Sequence, residues 1–165
     1  MEGDIYFQKL LEGSRSKLES PIRNETFLKE RLEKIWGIYF NDVERLNEIT
    51  IRFKGKWKNK FGHIHIKENK TTEIVINGFL RDSRVPEYII DLTIAHELVH
   101  YSHGFQSPHP KLYKHPHAGG IVTKDLKKRG FIEQLKQERK WIKEIWQPII
   151  KEEFQKRKRS RRFWF

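Results

Sequence analysis

The residues of this chain whose types and spacing could do chemistry are His96, Glu97 and His100, in the run Ala95-His96-Glu97-Leu98-Val99-His100. On an α-helix, residues four apart lie one above the other, so two imidazoles can grip one metal ion while the carboxylate between them reaches its edge. That arrangement suits a hydrolytic zinc site with Glu97 as general base. With eight His and seventeen Glu in the chain, a random order would contain the motif roughly 4 times in 100, so the surrounding sequence must support it. The plainer alternative is a hydrogen-bonded polar cluster with no metal.

The support is a helix signal. Pro86 stands where a helix would start, Asp82 and Ser83 are capping candidates, and the run Tyr88-Ile89-Ile90-Asp91-Leu92-Thr93-Ile94-Ala95 leads directly into His96. Gly104 can end it. A helix this apolar all round belongs across the middle of a domain, and its buried His and Glu side chains then need partners.

A catalytic zinc ion usually takes three protein ligands and one water, so a third donor must come from elsewhere. With no cysteine in the chain, it must be His, Asp or Glu. His103 follows His100 too closely for the usual return path. Residues 105–118 carry three prolines, read as irregular structure, and hold His109, His115 and His117. His117 is favoured because it stands just ahead of Gly119 and Gly120, which open the next helix; His115, His109 and a distant carboxylate stay open. Such a zinc ion would lower the pKa of its water toward ~7 and polarise a peptide carbonyl, with Glu97 shuttling the proton. Tyr101, His103 and Tyr113 are candidate donors to the developing negative charge.

The elements around the motif read as follows. Residues 5–18 and 24–40 predict two helices, the second capped by Asn24. Ile49-Thr50-Ile51-Arg52-Phe53 alternates as a half-buried strand does, residues 61–67 alternate again, and after a turn at 68–70 a third strand at 72–77 closes an antiparallel hairpin. His63 and His65 share one face of their strand, at the rim of a cleft or facing water. A short helix at 121–129 precedes a long amphipathic one at 131–158, with Ile132, Leu135, Ile142, Ile145 and Ile149 on one side and a kink at Pro148.

Taken in order, the strand at 61–67, Glu73-Ile74-Val75-Ile76-Asn77, Leu80, Pro86, Thr93-Ile94-Ala95-His96-Glu97-Leu98-Val99-His100 and His117-Ala118-Gly119-Gly120 resemble the SprT-like zinc metallopeptidases. The resemblance covers residues 27–131. It implies an α+β, small gluzincin-like domain in which a short antiparallel sheet packs on the active-site helix, with N- and C-terminal helices added. It also implies His96, His100 and His117 as zinc ligands and Glu97 as the catalytic base. Eukaryotic members cleave proteins crosslinked to DNA, so a role in DNA repair is the implied setting. Two features depart from the family: Ala118-Gly119-Gly120-Ile121 stands where members carry Gly-Pro or a similar pair and then Phe, and the Cys-based zinc ribbon of many members is absent.

Composition sets the bounds. A chain of 165 residues, 36% hydrophobic and 34% charged, builds one domain with a modest core; we read 1–165 as a single unit with a C-terminal helix and basic tail over 132–165. No disulfide or Cys nucleophile is possible, and no signal-peptide pattern or membrane-length apolar run occurs, which predicts an intracellular, cytoplasmic protein. A net charge of +12 attracts polyanions. Lys156, Arg157, Lys158, Arg159, Arg161 and Arg162, followed by Trp164 between two phenylalanines, combine cations for phosphates with rings for bases, which predicts DNA, single-stranded or damaged, as a partner beside the protein substrate. Lys56, Trp57, Lys58 and Lys60 form a second basic patch.

Overall fold

The computed structural model describes residues 22–162. The helix expected at 5–18 and the terminal residues 163–165, Trp164 among them, lie outside the described residues. The elements run α1 (Glu25–Tyr39), β1 (Ile49–Lys54), β2 (Gly62–Ile66), β3 (Thr72–Asn77), α2 (Glu87–Ser102), α3 (Ile121–Lys128), α4 (Ile132–Trp141), a π-helical turn (Ile142–Trp146) and α5 (Gln147–Arg162). The fold is α+β, with a small three-stranded sheet.

The strand order is β1-β3-β2. β2 and β3 form the expected antiparallel hairpin, with Ile64 opposite Ile74. β1, however, pairs with β3 in parallel, with Ile51 opposite Ile74, so the sheet is mixed and not antiparallel throughout. Alternation identifies a strand but not the direction of its neighbour; here the chain passes from β1 to the far edge before the hairpin brings β3 back between them. β3 is accordingly buried along its whole length. Ile51, Phe53, Ile64, Ile74 and Ile76 join the core with the apolar side chains of α2, while the opposite face carries Arg52, His63, His65 and Glu73.

α2 is the central helix, as its all-round apolar sequence requires: Ile89, Ile90, Ile94, Ala95, Leu98 and Val99 are essentially inaccessible to solvent. Its start differs from expectation. Pro86 occupies the cap position with no side-chain hydrogen bond, because Asp82 is engaged with Arg84, accepting from its backbone N–H at 2.9 Å and from its guanidinium at 2.8 Å. The preceding turn is held instead by Arg23, which donates to the carbonyls of Leu80, Asp82 and Val85. α1 begins as predicted, with Asn24 Oδ1 accepting from the Phe27 N–H at 2.9 Å. It is clamped to α2 by Arg31, bidentate on Asp91 at 2.7 Å.

The C-terminal helix breaks where a proline forbids regularity. Pro148 has no N–H to donate, and the turn just before it widens, so that the Gln147 N–H donates five residues back to the Ile142 carbonyl. The wide turn sets Trp141 and Trp146 side by side, ring centroids 5.6 Å apart, and both pack on Phe61. This shifts the apolar face: Trp141, Trp146, Ile149 and Ile150 are buried, whereas Ile132 and Ile145 of the expected stripe are exposed.

Candidate metal centre

His96 and His100 project one turn apart from α2, and the loop that follows brings a third imidazole to them. Gly104 takes φ +74°, and a Cβ there would run into the Pro110 carbonyl, so glycine alone allows the chain to turn so tightly. The Phe105 N–H then donates to the His100 carbonyl, Ser107 Oγ donates to the Tyr101 carbonyl at 2.6 Å, and the Leu112 N–H donates to the His103 carbonyl. A last turn, closed by the Ala118 N–H on the His115 carbonyl, presents His117. Gly119 and Gly120, at φ +64° and +65°, lead into α3.

One nitrogen from each of His96, His100 and His117 lies within 4.8 Å of the other two. His109 and His115 are not part of this group. His109 Nε2 is 2.8 Å from the Glu44 carbonyl and its ring stands edge-on to Tyr101, and His115 is exposed. The three imidazoles open onto a cleft of about 610 Å³ between β2, α2, α3 and α4, which Glu97 also lines.

Burial sets the protonation of this group. It pushes His96 down to about 4 and His100 down to about 3, and neighbouring imidazoles push each further the same way. Both are therefore neutral near pH 7, the form in which imidazole binds a metal. Burial pushes the Glu97 carboxyl up to about 8, opposed by the Lys60 ammonium. Near pH 7 burial thus favours the protonated carboxyl, and a cation held by the three imidazoles would favour the carboxylate that a general base needs.

The candidate oxyanion donors are not where sequence put them. Tyr101 is fully buried; its hydroxyl donates to Asn47 Oδ1 and accepts from the Leu46 N–H, tying α2 to the chain before β1. His103 Nε2 lies 2.9 Å from Asp125 Oδ2, linking α2 to α3, and Tyr113 stacks edge-on against His103. None of the three lines the cleft. The polar rim is instead Asn59, Lys60 and His63, with Lys60 Nζ 3.4 Å from His63 Nδ1 and over the Trp57 ring. Sequence pointed to His63 at a rim through its strand alternation. It gave no sign of buried Asn77, whose amide donates to the Trp57 and Lys60 carbonyls at 2.7 and 2.8 Å and so fixes the rim loop, nor of Glu138, which enters the cleft from α4.

The residues fit a zinc ion. His100 Nδ1 is buried without a hydrogen-bond partner among the described residues, and three imidazole nitrogen donors with no thiolate or carboxylate in the set match a catalytic zinc site with one position left over.

Of the predicted nucleic-acid residues, Lys156 is held by Glu152 and Glu153 at 2.7 and 3.5 Å, and the Arg157 guanidinium lies over Phe79 and Phe154. Lys158 lines a second groove of about 700 Å³ together with Lys58, Lys143 and Lys151. Arg159 and Arg161 line an adjoining hollow that shares Lys158. Arg162 is the last residue of α5. The two basic patches of the sequence thus meet in space, and among the described residues no acidic side chain lines the groove. No described helix is long and apolar enough to cross a membrane.

No protein-family model matches the chain, and no curated protein matches it. Among solved structures, it is similar to the metallopeptidase zymogen jannalysin of Methanocaldococcus jannaschii, with 15% identity and a TM-score of 0.44 over 72% of this chain and 96% of that one. A likeness this distant transfers no activity, and what the site can do follows from its own donors.

Proposed function

We propose that this chain is a zinc-dependent endopeptidase of the SprT-like kind, acting on proteins bound or crosslinked to DNA. The observation that carries the reading is the meeting of His96, His100 and His117 beside a buried Glu97 in one open cleft. Zinc bound there supplies Lewis acidity, which makes water a nucleophile near neutral pH and polarises a carbonyl. His96, His100 and His117 would hold it, and Glu97 does the proton work. Its carboxylate takes a proton from the attacking water and gives it to the amine nitrogen as the C–N bond breaks.

The DNA part of the reading is supported by the net charge of +12 and by the groove of four lysines. That groove also favours a second reading, a nucleic-acid-binding protein on a peptidase scaffold with little hydrolysis. The deciding experiment incubates zinc-loaded protein with a DNA-binding protein, with and without single-stranded DNA, using Glu97→Gln as control. Cleavage that needs both Glu97 and DNA supports the proposal in full. Glu97-dependent cleavage indifferent to DNA removes the DNA part, and salt-sensitive DNA binding without turnover favours the second reading.

A further inference from the structure

Apart from Glu97, one acidic side chain among the described residues, Glu138, lines the cleft, and the peptidase mechanism does not use it. Glu138 lies on α4 three residues after Leu135, so both project from the same face, and both line the cleft with Leu92 and Leu126. Among the described residues Glu138 makes no ion pair within 4.0 Å, although the chain is rich in cations. Burial raises its carboxyl, opposed by the charge of Arg139, and its charge in turn raises the Tyr88 phenol, after burial the second cause there. Tyr88 begins the row Tyr88, Leu92, His96, His100 along α2 at four-residue spacing. Eight residues separate Tyr88 from His96, roughly 12 Å along the helix axis.

The cleft is therefore polar in a directed sense. Lys60 and His63 stand at the β2 end, leucines line the middle of the α3–α4 side, and a carboxylate that makes no ion pair among the described residues stands on α4. Resting on the peptidase reading, we propose that Glu138 is a specificity-determining residue that selects substrates with a lysine or arginine close to the scissile bond. The aliphatic stem of such a side chain, about 6 Å long, lies along Leu92, Leu126 and Leu135 while its cation meets the carboxylate. An acidic substrate side chain is repelled from that end.

The test is a peptide mixture with every residue type at each position flanking the cut, digested by zinc-loaded wild-type protein, Glu138→Gln and Glu138→Lys. The expected result is a preference for Lys or Arg at one position. Glu138→Gln lowers kcat/KM for that substrate about tenfold while leaving an equivalent norleucine substrate unchanged, and Glu138→Lys turns the preference toward Asp or Glu. A wild-type enzyme with no basic preference, or one whose preference survives Glu138→Gln, overturns the proposal. If wild-type protein cleaves nothing, the peptidase reading fails, and the recognition is read by calorimetry with a short peptide hydroxamate carrying lysine or norleucine. Tighter binding of the lysine form that is lost in Glu138→Gln supports the Glu138 assignment on its own, and equal affinities overturn it.

Discussion

Gly62 of β2 and Thr93 of α2 touch so closely that a β-carbon on Gly62 would stand 2.8 Å from Thr93 Cγ2, 2.9 Å from the Val75 carbonyl and 3.5 Å from Glu97 Oε1. The backbone of Gly62 needs no left-handed conformation; glycine is required by proximity alone. β2 is an edge strand, and its contact with α2 sets the width of the cleft beside Glu97. Gly62→Ala must push the strand outward, at a cost of about 1–3 kcal/mol. We expect a lower urea midpoint with an unchanged m-value, and a larger loss in kcat than in zinc affinity, because the two α2 imidazoles stay on one rigid helix while the strand facing Glu97 moves. An alanine variant with wild-type midpoint and turnover would show that the strand can shift at no cost.

His117 reaches the other imidazoles only through the loop after Gly104, whereas His96 and His100 are fixed by helix geometry. A metal that binds the folded chain stabilises it by about 4 kcal/mol when present at a thousandfold excess over Kd. For a domain of this size that is a rise in Tm of about 10 °C. Zinc should therefore raise the Tm of wild-type protein, His109→Ala and His115→Ala alike, and chelator should reverse the rise. In His117→Ala the rise should fall to a small residue of the wild-type value. Calorimetric titration with zinc checks the same point, and a full response in His117→Ala would move the third ligand elsewhere.

The contrast between α2 and its surroundings explains what could be read in the sequence. The motif helix was legible because its spacing and its apolar run both signal the same period, and Pro86 and Gly104 bound it. The strands were legible as strands. The parallel pairing of β1 with β3 was not, because alternation is blind to the direction of a partner. Tyr101, His103 and Tyr113 looked like chemistry by type and turned out to hold elements together, since nothing local tells a hydroxyl or imidazole facing a cleft from one facing a neighbouring loop. The wide turn before Pro148 leaves Ile145 of the expected stripe exposed and buries Trp146; proline announces an interruption but not how the helix absorbs it. Asn77 holds the rim loop and Glu138 lines the cleft from elements far from the motif in the chain, a juxtaposition no window of sequence displays.

Glu73 is nearly enclosed on the sheet face away from α2, with Arg52 at 3.0 Å and Lys67 at 2.7 Å. Burial alone would raise its carboxyl, but the hydrogen bonds and charges of Arg52 and Lys67 outweigh burial and hold it at about 2, against an ordinary 4.5. A carboxyl whose folded pKa is depressed contributes stability that is fully present above its unfolded pKa and lost as pH falls toward the folded one. The contribution of Glu73 should therefore fade between pH 4.5 and pH 2. Urea unfolding across that window should show wild-type protein losing stability more steeply than Glu73→Gln, with the two curves converging at the acid end. Parallel curves would mean that Arg52 and Lys67 do not hold the carboxylate in solution.

Lys58 comes from the loop before β2 and Lys143, Lys151 and Lys158 from the C-terminal helices, yet they line one groove. On the helices, Lys143 to Lys158 spans fifteen residues, roughly 22 Å if helical throughout. A single strand of nucleic acid can lay several phosphates along that length, and each phosphate neutralised releases counterions worth about 0.7 in the slope of log K against log salt. Replacing Lys58, Lys143 and Lys151 together by Ala should lower that slope by about 2 for single-stranded DNA and weaken binding uniformly across sequences. Lys156→Ala should leave the slope nearly unchanged, because that ammonium already faces Glu152 and Glu153. The comparison separates a groove from a diffuse basic tail: equal effects of the triple variant and of Lys156→Ala would show that only total charge matters. Anionic lipid vesicles serve as the control surface, and binding to them that matches DNA in strength and in its response to the triple variant would remove the case for nucleic acid as the groove's partner.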